Sequence, residues 1–158
     1  MKNVLLIVKG FKSCFAKRST DIVQQEISDF FDNKNNHNII NKAYKIEKEW
    51  DTLTSGHKKY TRSKLIQKMG LLEQRASASC KDLNEIVPPR CLGSFWNKEV
   101  EASKLFFQAI SLTYSHMDDP NAIREQTIQY ICKANELKDE AQEELEDIYD
   151  EHHMKYTW

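Results

Sequence analysis

The sequence predicts an all-α fold: a single-domain bundle of about five helices built around a long C-terminal helical hairpin. Four glycines and three prolines are few for 158 residues, which argues against a turn-rich β fold. Apolar residues recur at steps of three and four along most of the chain, as in amphipathic helices. Residues 97–151 hold two long segments of this kind, separated by one proline.

The first arm of the hairpin is predicted to begin near Asn97, a residue type that commonly caps helices. Val100 and Phe107 belong to one apolar stripe, and Phe106 belongs to a second stripe on a different side. A helix that is apolar on more than one side is usually buried in the middle of a fold. We therefore expect this arm to be the central helix.

The second arm is predicted to begin at Asp119-Pro120, with Asp119 as the cap and Pro120 in the first helical position. No glycine or proline follows before Glu151, so a helix of about thirty residues is expected. Its C-terminal half is strongly acidic, although the helix dipole there disfavours negative charge. Few lysines lie four residues downstream of these acids to pair with them.

The predicted domain covers the whole chain and has four parts. Residues 1–86 form the N-terminal helices and residues 87–96 form a proline-containing link. Residues 97–151 form the hairpin, and residues 152–158 form a tail. Tandem prolines in the link forbid a helix and favour an extended segment.

The first part of the chain carries weaker patterns. Residues 3–18 fit either a helix or a short buried strand, and both alternatives stay open. A short amphipathic helix is predicted over residues 22–31, after a run of capping residues. The Asn-rich segment 32–38 is predicted to be an exposed loop.

The clearest amphipathic helix is predicted over residues 39–53, where apolar residues step by four, three, four and three. Gly56 is expected to end it, because glycine best tolerates a left-handed cap. A further helix is predicted from about Thr61, weakened and bent or broken at Gly70 or at residues 76–79.

Two aromatic residues, Phe95 and Trp96, stand just before the predicted hairpin. One interpretation is a hydrophobic staple that fixes how the chain enters the first arm. The other is an exposed aromatic anchor for a partner, since tryptophan is enriched at binding hot spots. The spacing favours the staple.

The net charge of −1 conceals an asymmetry along the chain. Residues 1–117 hold 19 Lys/Arg against 12 Asp/Glu, and residues 118–158 hold 4 against 12. Such asymmetry is typical of a charged binding surface, an intramolecular contact or self-association. The four cysteines form no C-x-x-C pair, which predicts reduced thiols and a cytoplasmic or otherwise intracellular protein. No apolar stretch is long enough for a transmembrane segment.

No catalytic, metal or cofactor motif is evident, so no catalytic residue, metal site or cofactor is expected. The adjacent His152 and His153 match no zinc spacing. The plainer interpretation is that these two histidines stand together in the tail by chance. Cys91 lies in the predicted link beside Arg90, which would lower the pKa of its thiol. No histidine or acidic partner for Cys91 is identifiable, so an enzyme is the least favoured class.

The leading hypothesis is a small helical interaction module, an adaptor, regulator or inhibitor that binds another protein through charged helix faces. Self-association is an open alternative for the same faces. The acidic partner-binding face is predicted to consist of Glu140, Glu143, Glu144, Asp147, Asp150 and Glu151.

The second hypothesis is a nucleic-acid-binding protein that uses the basic segment 58–75, because basic residues beside an aromatic one can meet phosphates. No helix-turn-helix or other binding signature accompanies this segment. In the leading hypothesis the same region is a second partner-binding face, which consists of Lys58, Lys59, Arg62, Lys64 and Lys68.

Overall fold

A computed structural model describes residues 21–55 and 59–154, and within these ranges every regular element is helical. The predicted all-α helical bundle is confirmed. The uncertainty over residues 3–18 lies outside the described residues, as does Gly56. The helices are α1 (21–32), α2 (Lys34–Ser55), α3 (Arg62–Glu85), α4 (Gly93–Ser115) and α5 (Arg124–Glu151), with a 3₁₀ turn at Arg90–Leu92 before α4.

Helix α4 is the centre of the bundle, as its two apolar stripes predict. It packs against α2, α3 and α5. Because α4 is apolar on more than one side, it buries apolar surface against several helices at once. Each neighbouring helix therefore needs only one apolar stripe of its own. The buried residues of α4 are Phe95, Trp96, Val100, Ala102, Ser103, Phe106, Phe107, Ala109 and Ile110.

Aromatic contacts join the N-terminal helices to α4. The ring of Trp96 lies edge-on to Phe30 of α1, with 5.4 Å between the ring centroids. Trp50 of α2 meets Phe106 in the same way, at 5.2 Å. Edge-to-face pairs of this kind contribute about 0.5–1.5 kcal/mol beyond the burial of their area. These contacts place α1 and α2 on α4 in a defined rotation.

The prediction of a loop over residues 32–38 is wrong, because only Asn33 separates α1 from α2. The side-chain oxygen of Asn33 accepts hydrogen bonds from the backbone N–H groups of Asn35 (2.9 Å) and Asn36 (3.2 Å). The side-chain amide of Asn36 donates to the carbonyl of Phe30 at the end of α1 (3.1 Å). The asparagines of this segment therefore cap the junction between two helices and do not form a loop.

Both arms of the predicted hairpin begin at other residues in the structure, whereas the second arm ends at Glu151 as predicted. Helix α4 begins at Gly93, so Asn97 lies inside the helix and the link is shorter than predicted. Helix α5 begins at Arg124, because Pro120 is the second residue of a turn that is closed by the hydrogen bond from the Ala122 N–H to the Asp119 carbonyl. Proline suits the second position of a turn as well as the start of a helix.

Helix α3 is continuous from Arg62 to Glu85, so the predicted break is absent. Thr61 caps it, since its side chain accepts from the Lys64 N–H at 3.4 Å. Gly70 provides room for Tyr114 of α4: a Cβ at this position would lie 2.9 Å from the tyrosine hydroxyl. The glycine therefore serves a close approach between helices.

Replacing Asn33 by Ala removes the cap at the α1–α2 junction. We expect a loss of about 1 kcal/mol in the free energy of unfolding, measured by urea titration. Asn38→Ala is the matched control, because Asn38 is exposed within α2 and alanine favours helix. Equal stability of the two variants would contradict the capping role.

Candidate functional site

The most distinctive charged surface is the outer side of α5. Ala134, Ala141 and Leu145 are the buried residues of this helix. Successive residues of a helix are rotated by about 100°, so the carboxylates of the outer acidic stripe point away from the core. All members of this stripe are exposed: Glu136, Asp139, Glu143, Glu146, Asp147 and Asp150.

Most of the outer acidic stripe lacks a cationic partner. Lys133 pairs with Glu136 at 3.1 Å, within the same helix. Among the described residues, no cation forms an ion pair with Asp139, Glu143, Asp147 or Asp150. The stripe is therefore a line of largely uncompensated negative charge.

The predicted acidic face divides into two parts. Glu143, Asp147 and Asp150 belong to the outer acidic stripe, which also includes residues that the prediction omitted. Glu140 and Glu144 lie on the side facing α4, where Lys98 pairs with them at 3.6 Å and 3.2 Å.

These ion pairs fasten α5 to α4. Ser94 also donates a hydrogen bond to Glu144 at 3.0 Å. The hydrogen bond with Glu144, aided by the negative charge of both carboxylates, raises the pKa of Lys98. Glu140 and Glu144 thus take part in contacts within the chain. Glu151, the last predicted member of the acidic face, is exposed at the end of α5.

The predicted basic face is partly neutralised within the chain. Arg62 pairs with Asp118 in the α4–α5 turn, and the Lys68 ammonium lies 5.4 Å from the centre of the Tyr60 ring. Lys59 and Lys64 are exposed. Lys58 lies outside the described residues.

Phe95 and Trp96 are buried, with 6% and 5% of their surfaces exposed. Phe95 lies 6.2 Å from the ring of Phe31, and Trp96 packs on Phe30. Their burial does not support an exposed anchor. Both rings lie inside α4 instead of before it, so they pack the core between α1 and α4.

His152 and His153 end helix α5. The N–H of His153 donates to the Asp150 carbonyl at 3.1 Å, and the N–H of Met154 donates to the Tyr149 carbonyl at 2.8 Å. His153 has a φ of 54°, the left-handed conformation that this type of C-terminal cap requires. The backbone of these two residues therefore caps α5, and the carbonyl of His152 accepts a hydrogen bond from the side-chain amide of Gln24 in α1.

The environment of Cys91 contradicts the predicted activation by Arg90. Burial raises the pKa of the Cys91 thiol, and the nearby carboxylate of Glu26 raises it further. A thiol whose pKa is raised holds less thiolate and is a weaker nucleophile at neutral pH.

A small pocket, which the sequence analysis does not predict, lies where α2, α4 and α5 meet. It encloses about 100 Å³. Its polar and aromatic lining comes from three helices: Tyr44 and Glu47 of α2, Trp96 and Glu99 of α4, and Lys138 of α5. Leu83 of α3 adds an apolar contact. We call this the three-helix pocket.

The charges in the three-helix pocket are unequally paired. Lys138 forms an ion pair with Glu47, whose side chain is only 12% exposed, and its ammonium lies 5.9 Å from the centre of the Phe106 ring. Glu99 is half-buried and forms no ion pair or side-chain hydrogen bond with any described residue. Burial raises the pKa of both carboxyl groups, against the opposing effect of Lys138.

The sequence does contain a signal for this pocket. Glu47 lies between Ile46 and Trp50 on the apolar stripe of α2, and Glu99 follows Trp96 by three residues on α4. A charged residue inside an apolar stripe is either paired or placed for a function. Only the packing of the helices reveals that these residues meet.

Comparison with known proteins found no match: no protein-family model, curated protein or solved structure matches this chain. Among the described residues, no helix is both long enough and apolar enough to cross a membrane. The same residues hold no group of three or more His, Cys, Asp or Glu side chains arranged to hold a metal ion.

Glu99→Gln is expected to stabilise the protein at pH 7. Because the folded-state pKa of Glu99 is raised, its ionisation opposes folding, and its contribution to stability falls as pH rises through that value. The gain on substitution should therefore be present at pH 7 and disappear below the ordinary pKa of glutamate, about 4.3. Urea unfolding at pH 7 and at pH 3.5 measures the difference.

Glu101→Gln is the matched control, because Glu101 is exposed on the same helix and makes only a surface ion pair with Lys104. Its stability should stay within about 0.5 kcal/mol of the parent at both pH values. A Glu99→Gln protein that is less stable than the parent at pH 7 would contradict the assigned environment.

Proposed function

We propose that this chain is a small helical interaction module, an adaptor, regulator or inhibitor, that binds a basic surface of another protein through the outer acidic stripe of α5. The observation that carries the proposal is the line of exposed carboxylates, opposite the core, that lack ion-pair partners among the described residues. Binding inside a cell is part of the proposal, as the reduced state expected for the cysteines indicates.

The energetics of the stripe support a partner. Asp139, Glu143 and Asp147 follow one another at intervals of four, and like charges at this spacing destabilise a helix by about 0.2–0.5 kcal/mol per pair. Negative charge close to the C-terminal end of α5 is also unfavourable. Lysines or arginines of a partner would remove both costs, so the stripe gains more from binding than it contributes to folding.

The dimensions of the stripe suit a protein partner. From Asp139 to Asp150 the helix rises about 16 Å, at about 1.5 Å per residue. A basic helix or groove of similar length could meet all four unpaired carboxylates. Complementary charge of this kind mainly accelerates encounter and selects the partner.

Nucleic acid is the less favoured partner. Arg62 and Arg75, two of the basic residues of segment 58–75, already pair with Asp118 and with Glu49. Lys68 rests against Tyr60, which leaves fewer free cations for phosphates. The stripe itself would repel a nucleic acid.

The test is affinity purification of the full chain from its native lysate with nuclease present, followed by mass spectrometry. The stripe variant combines Asp139→Asn, Glu143→Gln, Asp147→Asn and Asp150→Asn. We expect the parent to retain a stoichiometric, nuclease-resistant protein and the stripe variant to bind it at least about tenfold more weakly, with affinity that decreases as salt increases.

A charge-matched control neutralises four exposed acids of α1 instead, with Asp21→Asn, Glu26→Gln, Asp29→Asn and Asp32→Asn. It should bind like the parent, which separates the stripe from total charge. Circular dichroism checks that both variants stay helical. Undiminished binding by the stripe variant, or partners lost on nuclease treatment, would reject the proposal.

A further inference from the structure

The three-helix pocket combines two aromatic residues, the buried Trp96 and the exposed Tyr44, with an excess of negative charge. Tyr44 and Trp96 line it together with Glu47, Glu99 and Lys138. With both carboxylates ionised and the lysine protonated, its net charge is −1. Lys138 pairs with Glu47, and its charge also acts on Glu99. Glu99 forms no ion pair or side-chain hydrogen bond with any described residue, so its carboxylate is the less compensated of the two.

A glutamate at position 99 lowers the stability of the fold, so structure alone does not explain its presence. A partly buried carboxylate without a close ion pair loses hydration, and the charge of Lys138 offsets this loss only in part. Glutamine or an apolar residue at position 99 would fill the same place without this cost. Titratable groups that are perturbed by burial, lie in a cleft and act on one another are typical of functional sites.

We propose that the three-helix pocket binds an alkylammonium group, with Glu99 as its carboxylate partner and the Tyr44 and Trp96 rings as its walls. The charge of the ligand restores neutrality to the pocket. The aromatic walls suit the same ligand, because ring faces attract cations and rings also pack on the adjoining methylene groups.

The size and charge of the pocket limit the class of ligand. A volume of about 100 Å³ has room for an ammonium group and the carbons next to it. An anion would meet two carboxylates. A neutral ligand would leave Glu99 without a counter-charge.

This inference is independent of the proposed partner-binding function. The outer acidic stripe points away from the core, whereas Lys138 faces α2 and its ion pair with Glu47. A ligand in the pocket therefore need not touch the stripe, and either proposal can fail while the other stands.

The test is an NMR titration of the full chain at constant ionic strength, which follows the indole N–H of Trp96 and the backbone amide of Ser103, a residue that also lines the pocket. The probe is ethylammonium chloride, and ethanol is the neutral control. We expect saturable shifts with ethylammonium and a Kd in the millimolar range, the limit for a ligand of three heavy atoms. Ethanol should produce no saturable shift.

The decisive variant is Glu99→Gln, which keeps the shape and removes the charge. It should bind ethylammonium at least about tenfold more weakly, whereas Glu101→Gln, at an exposed position of α4 outside the pocket, should bind like the parent. A melting curve confirms that each variant is folded. Absence of saturable shifts, equal shifts with ethanol, or unchanged binding by Glu99→Gln would each overturn the proposal.

A second probe, the methylamide of Nα-acetyl-lysine, distinguishes the source of the ammonium group. Binding of both probes assigns the pocket to a lysine side chain of a peptide or protein. Binding of ethylammonium alone assigns it to a small free amine. Both results support the site.

Discussion

The burial of α4 is the constraint on which the rest of the structure depends. Ala102, Ala109 and Ile110 have no exposed surface, and the small side chains of the two alanines allow close approach by neighbouring helices. Because α4 supplies apolar surface to α2, α3 and α5, none of these needs to be apolar on more than one side. Each outer helix is therefore free to carry charge on the side that faces away from α4.

Both candidate sites follow from that arrangement. Helix α5 buries Ala134, Ala141 and Leu145 and leaves its opposite side for polar residues. Four partly buried residues widen the packing side: Ile131, Leu137, Ile148 and Tyr149. The outer acidic stripe occupies the opposite side. Where α2, α4 and α5 converge, Glu47 and Glu99 interrupt the apolar packing and leave the three-helix pocket. The first site is the outer surface of one helix, and the second is an incompletely filled junction of three.

Helices with an uninterrupted apolar period could be predicted well, as α2 and the length of α5 show. Junctions were predicted badly, because Asn33 and Pro120 suit caps, turns and loops alike and tertiary contacts select among them. Gly70 suggested a break, yet the position of Tyr114 explains it. The acidic stripe is visible in the sequence, since it belongs to one helix. The three-helix pocket depends on how three helices rotate against one another, which no local pattern specifies.

Native-state hydrogen exchange tests most directly whether α4 organises the fold. If it does, the backbone amides around Phe106 and Ile110 exchange only through global unfolding, with a free energy equal to that from urea denaturation. Amides of α5 near Asp147 should open at lower free energy, because the outer side of that helix contributes little packing. Exchange of the α4 amides through a local opening, while α5 remains protected, would contradict the account.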